Sequence, residues 1–453
     1  MAALQNFWWY LVLIGVMILV HELGHYLAAR FFDVKVETFS FGFGPRLFGF
    51  TYGETDFRFS AVPFGGYVKM TGEQYSGDIN DPGTGKPVST DPRALTSKPR
   101  WQRMIISFAG PAINIVLAVA LLAGLFMLHF EKVPNPESPV IGALAPDGAA
   151  AKAGIRVGDR IVQIDDKTNP TWDEVSLGHE IMSPNHPLSV WVERNQERLH
   201  FTVTPALDSK QGIGRAGWDQ AIEIEVASIV KGKGLQAEKA GFERGDVLVS
   251  ANGQLLQSVG RLNEIESETK GAPLELVYRR GTEVRNVTLT PIWKDPDDGQ
   301  GKPRWMIGLS LKPRMHIVTL SLAAALSESV KKNTEYAQLI LQLLQRMIQR
   351  RMPAKSLSGP IGMIQQSGEA AREGFMPFIG YMAAVSLNLA IFNLLPIPIL
   401  DGGMMLMLFV EMLMRRDVDL RVKETVLKVG FVFLMFVLVF AIYNDISKNF
   451  PPG

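Results

Sequence analysis

The chain has no cysteine. Disulfides and thiolate metal sites are therefore excluded, and any metal must be held by His, Asp or Glu. This absence fits any compartment and selects none. A surplus of charge is lacking too: 46 Lys and Arg balance 45 Asp and Glu, for a net +1. No bulk electrostatic attraction to nucleic acid follows. Histidine is scarce, with 7 in 453 residues, and two of these share one pentad, His21-Glu22-Leu23-Gly24-His25. The apolar residues are segregated, with long runs at both ends and a polar middle.

Four apolar stretches read as membrane spans: residues 7–32, 101–130, 378–400 and 426–443. Each is near the ~20 residues that a helix needs to cross ~30 Å of hydrocarbon. The first lacks the basic flank of a signal peptide, and its apolar core runs into the pentad, so it reads as retained. Basic residues set the orientation. Arg30 and Lys35 follow the first span, Arg100 and Arg103 open the second, and Arg415, Arg416, Arg421 and Lys423 lie between the third and fourth. Both short loops are expected in the cytoplasm. Trp8, Trp9 and Tyr10 can anchor the outer interface. The N-terminus, the middle region and the C-terminus are then expected outside, which in a Gram-negative bacterium is the periplasm.

The middle region is a repeat. Ala153-Gly154-Ile155-Arg156-Val157-Gly158-Asp159-Arg160-Ile161-Val162 recurs 87 residues later as Ala240-Gly241-Phe242-Glu243-Arg244-Gly245-Asp246-Val247-Leu248-Val249. Such a period marks duplicated domains. Each copy reads as a short helix ending at glycine, a Gly-Asp turn and a strand. The pattern resembles the core of circularly permuted PDZ domains, at residues 136–208 and 222–293. Domains of that kind bind extended peptides at a sheet edge; they can equally serve as spacers or steric filters. The expected fold is a multi-pass α-helical membrane protein with four transmembrane helices, a membrane-associated β-hairpin and two tandem periplasmic PDZ-like α+β domains. Residues 1–135 and 376–453 form its membrane parts, and 315–375 a helical connector on the membrane surface. That connector turns basic at Arg346, Arg350 and Arg351; it reads as a membrane-surface helix, with a solvated linker as the alternative.

The chemistry concentrates in the pentad. His21 and His25, at i and i+4, project from one helix face and can grip one metal ion. Glu22 can serve as general base toward water. Polar side chains at membrane depth are costly and call for a function or a partner. Two histidines leave a metal site incomplete, and Asp401, which ends the third apolar run, is the candidate third ligand; the competing reading is a helix cap. Pro396 and Pro398 lack backbone N–H groups and open the chain beside it, and irregular backbone at membrane depth belongs in a wet cavity or inside protein. Asn393 can clamp an unwound substrate or bond a neighbouring helix, and Asn388 admits the same two readings. Residues 57–70 read as a hairpin turning at Pro63, Gly65 and Gly66, whose edge can hold an extended substrate or merely sit at the interface. Residues 72–99 read as a loop. Gly110-Pro111-Ala112-Ile113-Asn114 reads as mainly structural, allowing close helix approach.

On these residues the chain resembles the site-2 protease family of intramembrane zinc metalloproteases. The pentad matches the family H-E-x-x-H, and Asn393 through Gly402 matches N-x-x-P-x-P-x-L-D-G. Gly110-Pro111 with Asn114, and Ser358-Gly359-Pro360, are similar to family segments. The resemblance covers nearly the whole chain and is nearest to bacterial members with tandem PDZ domains. It implies Zn²⁺ on His21, His25 and Asp401 with Glu22 as catalytic base; beside it, the residue patterns above make Asn393, Pro396, Pro398, Gly65 and Gly66 the candidate substrate-binding residues. It implies an inner-membrane protease acting toward the cytoplasmic side. Its substrates would be single-span membrane proteins already cut in the periplasm, such as an anti-sigma factor in a stress response, or signal-peptide remnants. One departure is Met404, where many relatives carry histidine; any assisting role at that position is in doubt. The readings from other classes are a catalytically silent membrane scaffold presenting two peptide-binding domains, and a transporter, against which the absence of a span repeat weighs.

Overall fold

The computed structural model describes residues 2–72, 91–132, 139–208, 211–230, 235–294, 303–353 and 359–449. Most of the 72–99 loop, Ser358, and parts of the 136–208 and 222–293 ranges lie outside them. The chain divides into two units, one of Met1–His129, Thr319–Ile340 and Leu357–Gly453, the other of Phe130–Val318 and Leu341–Ser356.

Among the described residues, the first unit holds four helices long and apolar enough to cross a membrane: Leu4–Phe31, Arg100–Leu128, Phe375–Asn393 and Arg421–Ser447. Even the shortest, at 19 residues, spans roughly 28 Å at 1.5 Å per residue. The last one exposes Val429, Phe431, Val432, Phe436 and Val439, a surface that suits lipid rather than water. The third ends at Asn393, not at residue 400. Pro396 and Pro398 cannot donate to an α-helical ladder, so residues 394–400 turn and a separate helix, Asp401–Met414, begins. Asp401 therefore opens a helix instead of closing a span. The fourth span also fixes its surroundings: the buried Asp445 accepts from Gly359 N (2.8 Å) and Gly362 N (3.0 Å) at the start of helix Pro360–Glu373.

Between the first two spans, strands Val36–Tyr52 and Thr55–Met70 form one small sheet. Its turn lies at Gly53-Glu54, where Gly53 takes a φ of +61°, so the hairpin expected within 57–70 is corrected. Pro63, Gly65 and Gly66 sit inside the second strand. Pro63 is tolerated there because a strand at a sheet edge loses little when one N–H is missing. The start of the first strand is central: Ser40 faces both Tyr67 and Arg58, and Phe41 both Gly66 and Phe59. Residues 66–70 thus form an edge. No strand among the described residues pairs with their other side.

The second unit contains the repeats. In the first, strands run in the order Lys167–Thr168, Arg160–Ile164, Leu188–Arg194, Glu197–Val203, while Ile141–Leu144 pairs with Trp218–Gln220. In the second, the order is Glu283–Leu289, Leu274–Arg280, Val247–Ala251, Ile224–Ile229, Leu309–Pro313. Trp218 joins the first core and Leu309 packs on the second, so each core draws on residues beyond 208 and 293. The repeated Gly-Asp turn has a partner that the pattern did not reveal. Arg194 donates twice to the buried Asp159 (2.7 and 2.7 Å) and once to Gly154 O (2.9 Å). Arg280 repeats this on Asp246 (2.8 and 2.8 Å) and Gly241 O (2.7 Å). Burial pushes the Asp246 carboxyl up, but the Arg280 fork overrides it and holds the group below the usual carboxylate range. Arg346 in helix Leu322–Ile348 donates to Met182 O (3.0 Å), Ser183 Oγ (2.5 Å) and Gly178 O (3.2 Å). Its charge is thus spent on protein acceptors.

Candidate metal centre

Helical periodicity puts His21 and His25 one turn apart on the first span, with their rings edge to face at 4.9 Å. Asp401 reaches them from the first turn of its helix, one carboxylate oxygen toward each ring. Oδ2 lies 3.2 Å from His21 Nε2, Oδ1 lies 3.4 Å from His25 Nε2, and the two Nε2 atoms are 3.3 Å apart. Tetrahedral coordination at about 2.0–2.1 Å requires ligand atoms about 3.3 Å from one another. The three groups form the one His/Asp/Glu cluster of metal-binding geometry among the described residues.

The outer nitrogens are spoken for. His25 Nδ1 lies 2.8 Å from Ile106 O. A carbonyl only accepts, so Nδ1 carries the proton and the Nε2 lone pair points at Asp401. The fully buried Asn114 amide lies 3.2 Å from His21 Nδ1, and its Oδ1 has no hydrogen-bond partner. Turning the amide over resolves both facts: Oδ1 then accepts from Nδ1–H and frees His21 Nε2 as well. Asn114 is itself held, because Ser386 Oγ donates to its backbone carbonyl at 2.8 Å. These orienting contacts suit a metal on the inner face.

Glycines let the elements close. A Cβ on Gly110 would lie 2.3 Å from His25 Nε2 and 2.9 Å from His21 Cε1; one on Gly24 would lie 2.4 Å from Ala109 O. Gly66 abuts Glu22, its ideal Cβ falling 3.0 Å from Glu22 Cγ. Gly110 and Asn114, which the sequence presents as mainly structural, lie directly against the imidazoles. The available signal was their i, i+4 spacing, which puts both on one face of the second span.

A cavity of about 600 Å³ opens here, lined by His21, Glu22, His25, Asn393 and Asp401. Gly66, Tyr67, Val68 and Met70 of the sheet edge form another part of its wall, and Met404 lies one helical turn beyond Asp401. Glu22 makes no hydrogen bond or ion pair to described residues, so its carboxylate is available to the cavity. Asn393 Nδ2 approaches His21 Nε2 at 3.4 Å. Pro396, Pro398 and Gly65 are not among the lining residues. Pro398 packs against Gly430, and Gly65 against Phe43. Ile399 lines the cavity at a φ of +85°, which a β-branched residue adopts only under strain of about 1–3 kcal/mol. That turn delivers Asp401 to the histidines.

Comparison with known proteins identifies the family. The pattern described as Peptidase family M50 matches residues 9–437. "Regulator of sigma-E protease RseP" of Salmonella typhimurium is 30% identical over 468 residues, covering 99% of this chain and 100% of that protein. "Putative zinc metalloprotease" of Vibrio cholerae serotype O1 is 29% identical over 465 residues, 98% and 99% of the two chains. A protein of the same description in Treponema pallidum is 29% identical over 455 residues, 97% and 98%. The chain belongs to peptidase family M50 and is a zinc metalloprotease of the site-2 type.

Proposed function

We propose that the chain hydrolyses peptide bonds within transmembrane segments of single-span membrane proteins that have already been shortened outside the membrane. The observation that carries this reading is the convergence of His21, His25 and Asp401 at the wall of a cavity shared with Glu22 and a free strand edge. His21, His25 and Asp401 hold the zinc. When bound there, zinc supplies Lewis acidity that activates water and polarises a carbonyl. Glu22 takes the proton from the attacking water and returns one to the leaving amine. A helical substrate hides its carbonyls in i→i−4 bonds and must be extended to react. Residues 66–70 offer their unpaired side for strand addition, and the Asn393 amide reaches the same space to hold substrate backbone.

The cleaved bond lies near the cytoplasmic side of a bacterial inner membrane, with the termini and the repeats in the periplasm. The repeats act as a pair of PDZ domains that exclude uncut substrates. A membrane-bound anti-sigma factor is the leading substrate class, a reading supported by a relative described as a regulator of sigma-E protease, with signal-peptide remnants as a second. The silent-scaffold reading is disfavoured, because Glu22 and a complete ligand triad are retained. The test is cleavage of a truncated single-span substrate by the purified chain in detergent. Cleavage abolished by a zinc chelator and restored by Zn²⁺ is expected. Failure to cut any truncated substrate, with zinc bound, would favour the scaffold.

A further inference from the structure

We propose that Arg103 is a carboxylate-binding subsite of the same cavity, taking one carboxylate of the bound peptide. The inference rests on reading the cavity as a peptide site.

Arg103, Ser107, Gly110 and Asn114 are spaced by 4, 3 and 4 residues, which places them along one face of the second span. Gly110 and Asn114 meet the imidazoles, while Arg103 and Ser107 line the cavity beside them. The Arg103 backbone therefore stands about 10 Å along the helix from Gly110.

Its acidic neighbours are engaged chiefly by other cations, although Glu411 Oε2 is itself buried without a hydrogen-bond partner. Glu411 is fully buried; its Oε1 receives Lys423 Nζ at 2.5 Å and Val418 N at 3.1 Å, and its Oε2 lies 3.9 Å from Arg100 Nε. Asp417 Oδ1 accepts from Arg100 Nη2 at 2.7 Å. Three cations (Arg100, Arg103, Lys423) stand near two carboxylates (Glu411, Asp417) at this end of the cavity, and only Arg100 and Lys423 form ion pairs with them. Arg103 feels both carboxylates only at longer range: it forms no ion pair with a described residue, and its Nε is buried without a hydrogen-bond partner. Much of the remaining wall is apolar, with Leu95, Met404, Met407 and Leu427. A guanidinium without a direct partner in such a setting is expensive. An arriving carboxylate can form the paired, charge-assisted bonds that its planar fork is built for.

Two sources can supply that group. One is an Asp or Glu side chain of the substrate. The other is the new chain end: hydrolysis breaks the C–N bond, adds OH to the acyl carbon, and leaves a carboxylic acid that ionises while the amine fragment takes a proton.

Binding of labelled apolar peptides to the full-length, zinc-depleted protein in detergent separates these sources without cleavage. The peptides compare a free-acid with an amide C-terminus, and internal Glu with Gln in amide-ended versions. In the unmodified protein, one acid-bearing peptide should bind about tenfold more tightly than its neutral twin. Arg103→Gln should remove that preference and leave neutral-peptide affinity within about twofold, and Arg103→Lys should keep part of it. Retained neutral binding also reports that the variants are folded. A preference confined to the free acid assigns the new terminus, and one confined to internal Glu assigns a substrate side chain. Equal binding of charged and neutral peptides, or a preference that survives Arg103→Gln, overturns the proposal alone. No binding of any peptide by the unmodified protein overturns the peptide-site reading as well.

Discussion

Gly110→Ala adds one methyl group and should dismantle the zinc site. The new Cβ would lie 2.3 Å from His25 Nε2, 2.6 Å from its Cε1 and 2.9 Å from His21 Cε1. Comfortable contact begins near ~3.5 Å, so the rings or the second span must yield by about 1 Å. Zinc sites tolerate only about ±0.2 Å in their ligand distances. A displacement of about 1 Å can cost on the order of 10²-fold in rate, and zinc affinity should fall by at least the ~10–100-fold seen when orienting contacts are lost. Overpacking in the helix interface costs about 1–3 kcal/mol, offset by up to ~1 kcal/mol from the better helix propensity of alanine, so the fold should survive. Gly124→Ala is the control, because its Cβ would meet nothing within 4 Å on the same helix. Zinc per chain, measured by mass spectrometry after equilibration with a weak chelator, should drop for Gly110→Ala and stay unchanged for Gly124→Ala. Full zinc occupancy and unimpaired cleavage in Gly110→Ala would refute the packing argument.

Asp401→Asn removes the anionic ligand and should weaken zinc retention at least tenfold in the same assay; unchanged stoichiometry would remove it from the ligand set. Asn114→Leu should reduce zinc affinity by about 10–100-fold, while Asn114→Asp, which keeps an acceptor for His21 Nδ1, should lose less. In the second repeat, burial pushes the Glu266 carboxyl up to about 7, only partly countered by the Ile307 N–H that donates to it at 3.2 Å. Between its ordinary value of 4.5 and about 7 the folded state binds a proton that the unfolded state has released. Stability should therefore fall as pH rises through that window. Glu266→Gln should flatten this slope and protect helix Val259–Thr269 from hydrogen exchange at pH 8, by an amount on the order of a few kcal/mol, with little effect at pH 4; equal protection of both proteins at pH 8 would refute it.

The parts of the site legible in the sequence were those fixed by local rules. Helical period alone puts His21 and His25 on one face, and Pro396 and Pro398 alone announce a broken helix beside Asp401. What was not legible depends on tertiary contact. Pro63 and Gly65 look like a turn, but Gly53-Glu54 turns the chain, because an edge strand accepts proline and Gly65 yields space to Phe43. Ile399 is among the residues least suited to positive φ, so its conformation is imposed by the surroundings rather than encoded locally. The Arg194 and Arg280 partners of the repeated aspartates lie 35 and 34 residues downstream, on strands that only folding brings alongside. Asn114 gave the signal of a costly amide in an apolar span, while its partner, His21, came from another helix.

The central claim is that one zinc site and one glutamate perform the cleavage. Glu22→Gln tests it most directly, because glutamine keeps the size of the side chain and lacks the proton-accepting charge. Zinc content and cleavage of a truncated single-span substrate are measured on the same preparation of the full-length protein. Zinc content should be unchanged and cleavage reduced by roughly 10²–10⁴-fold. Cleavage at the unmodified rate with zinc in place would contradict it.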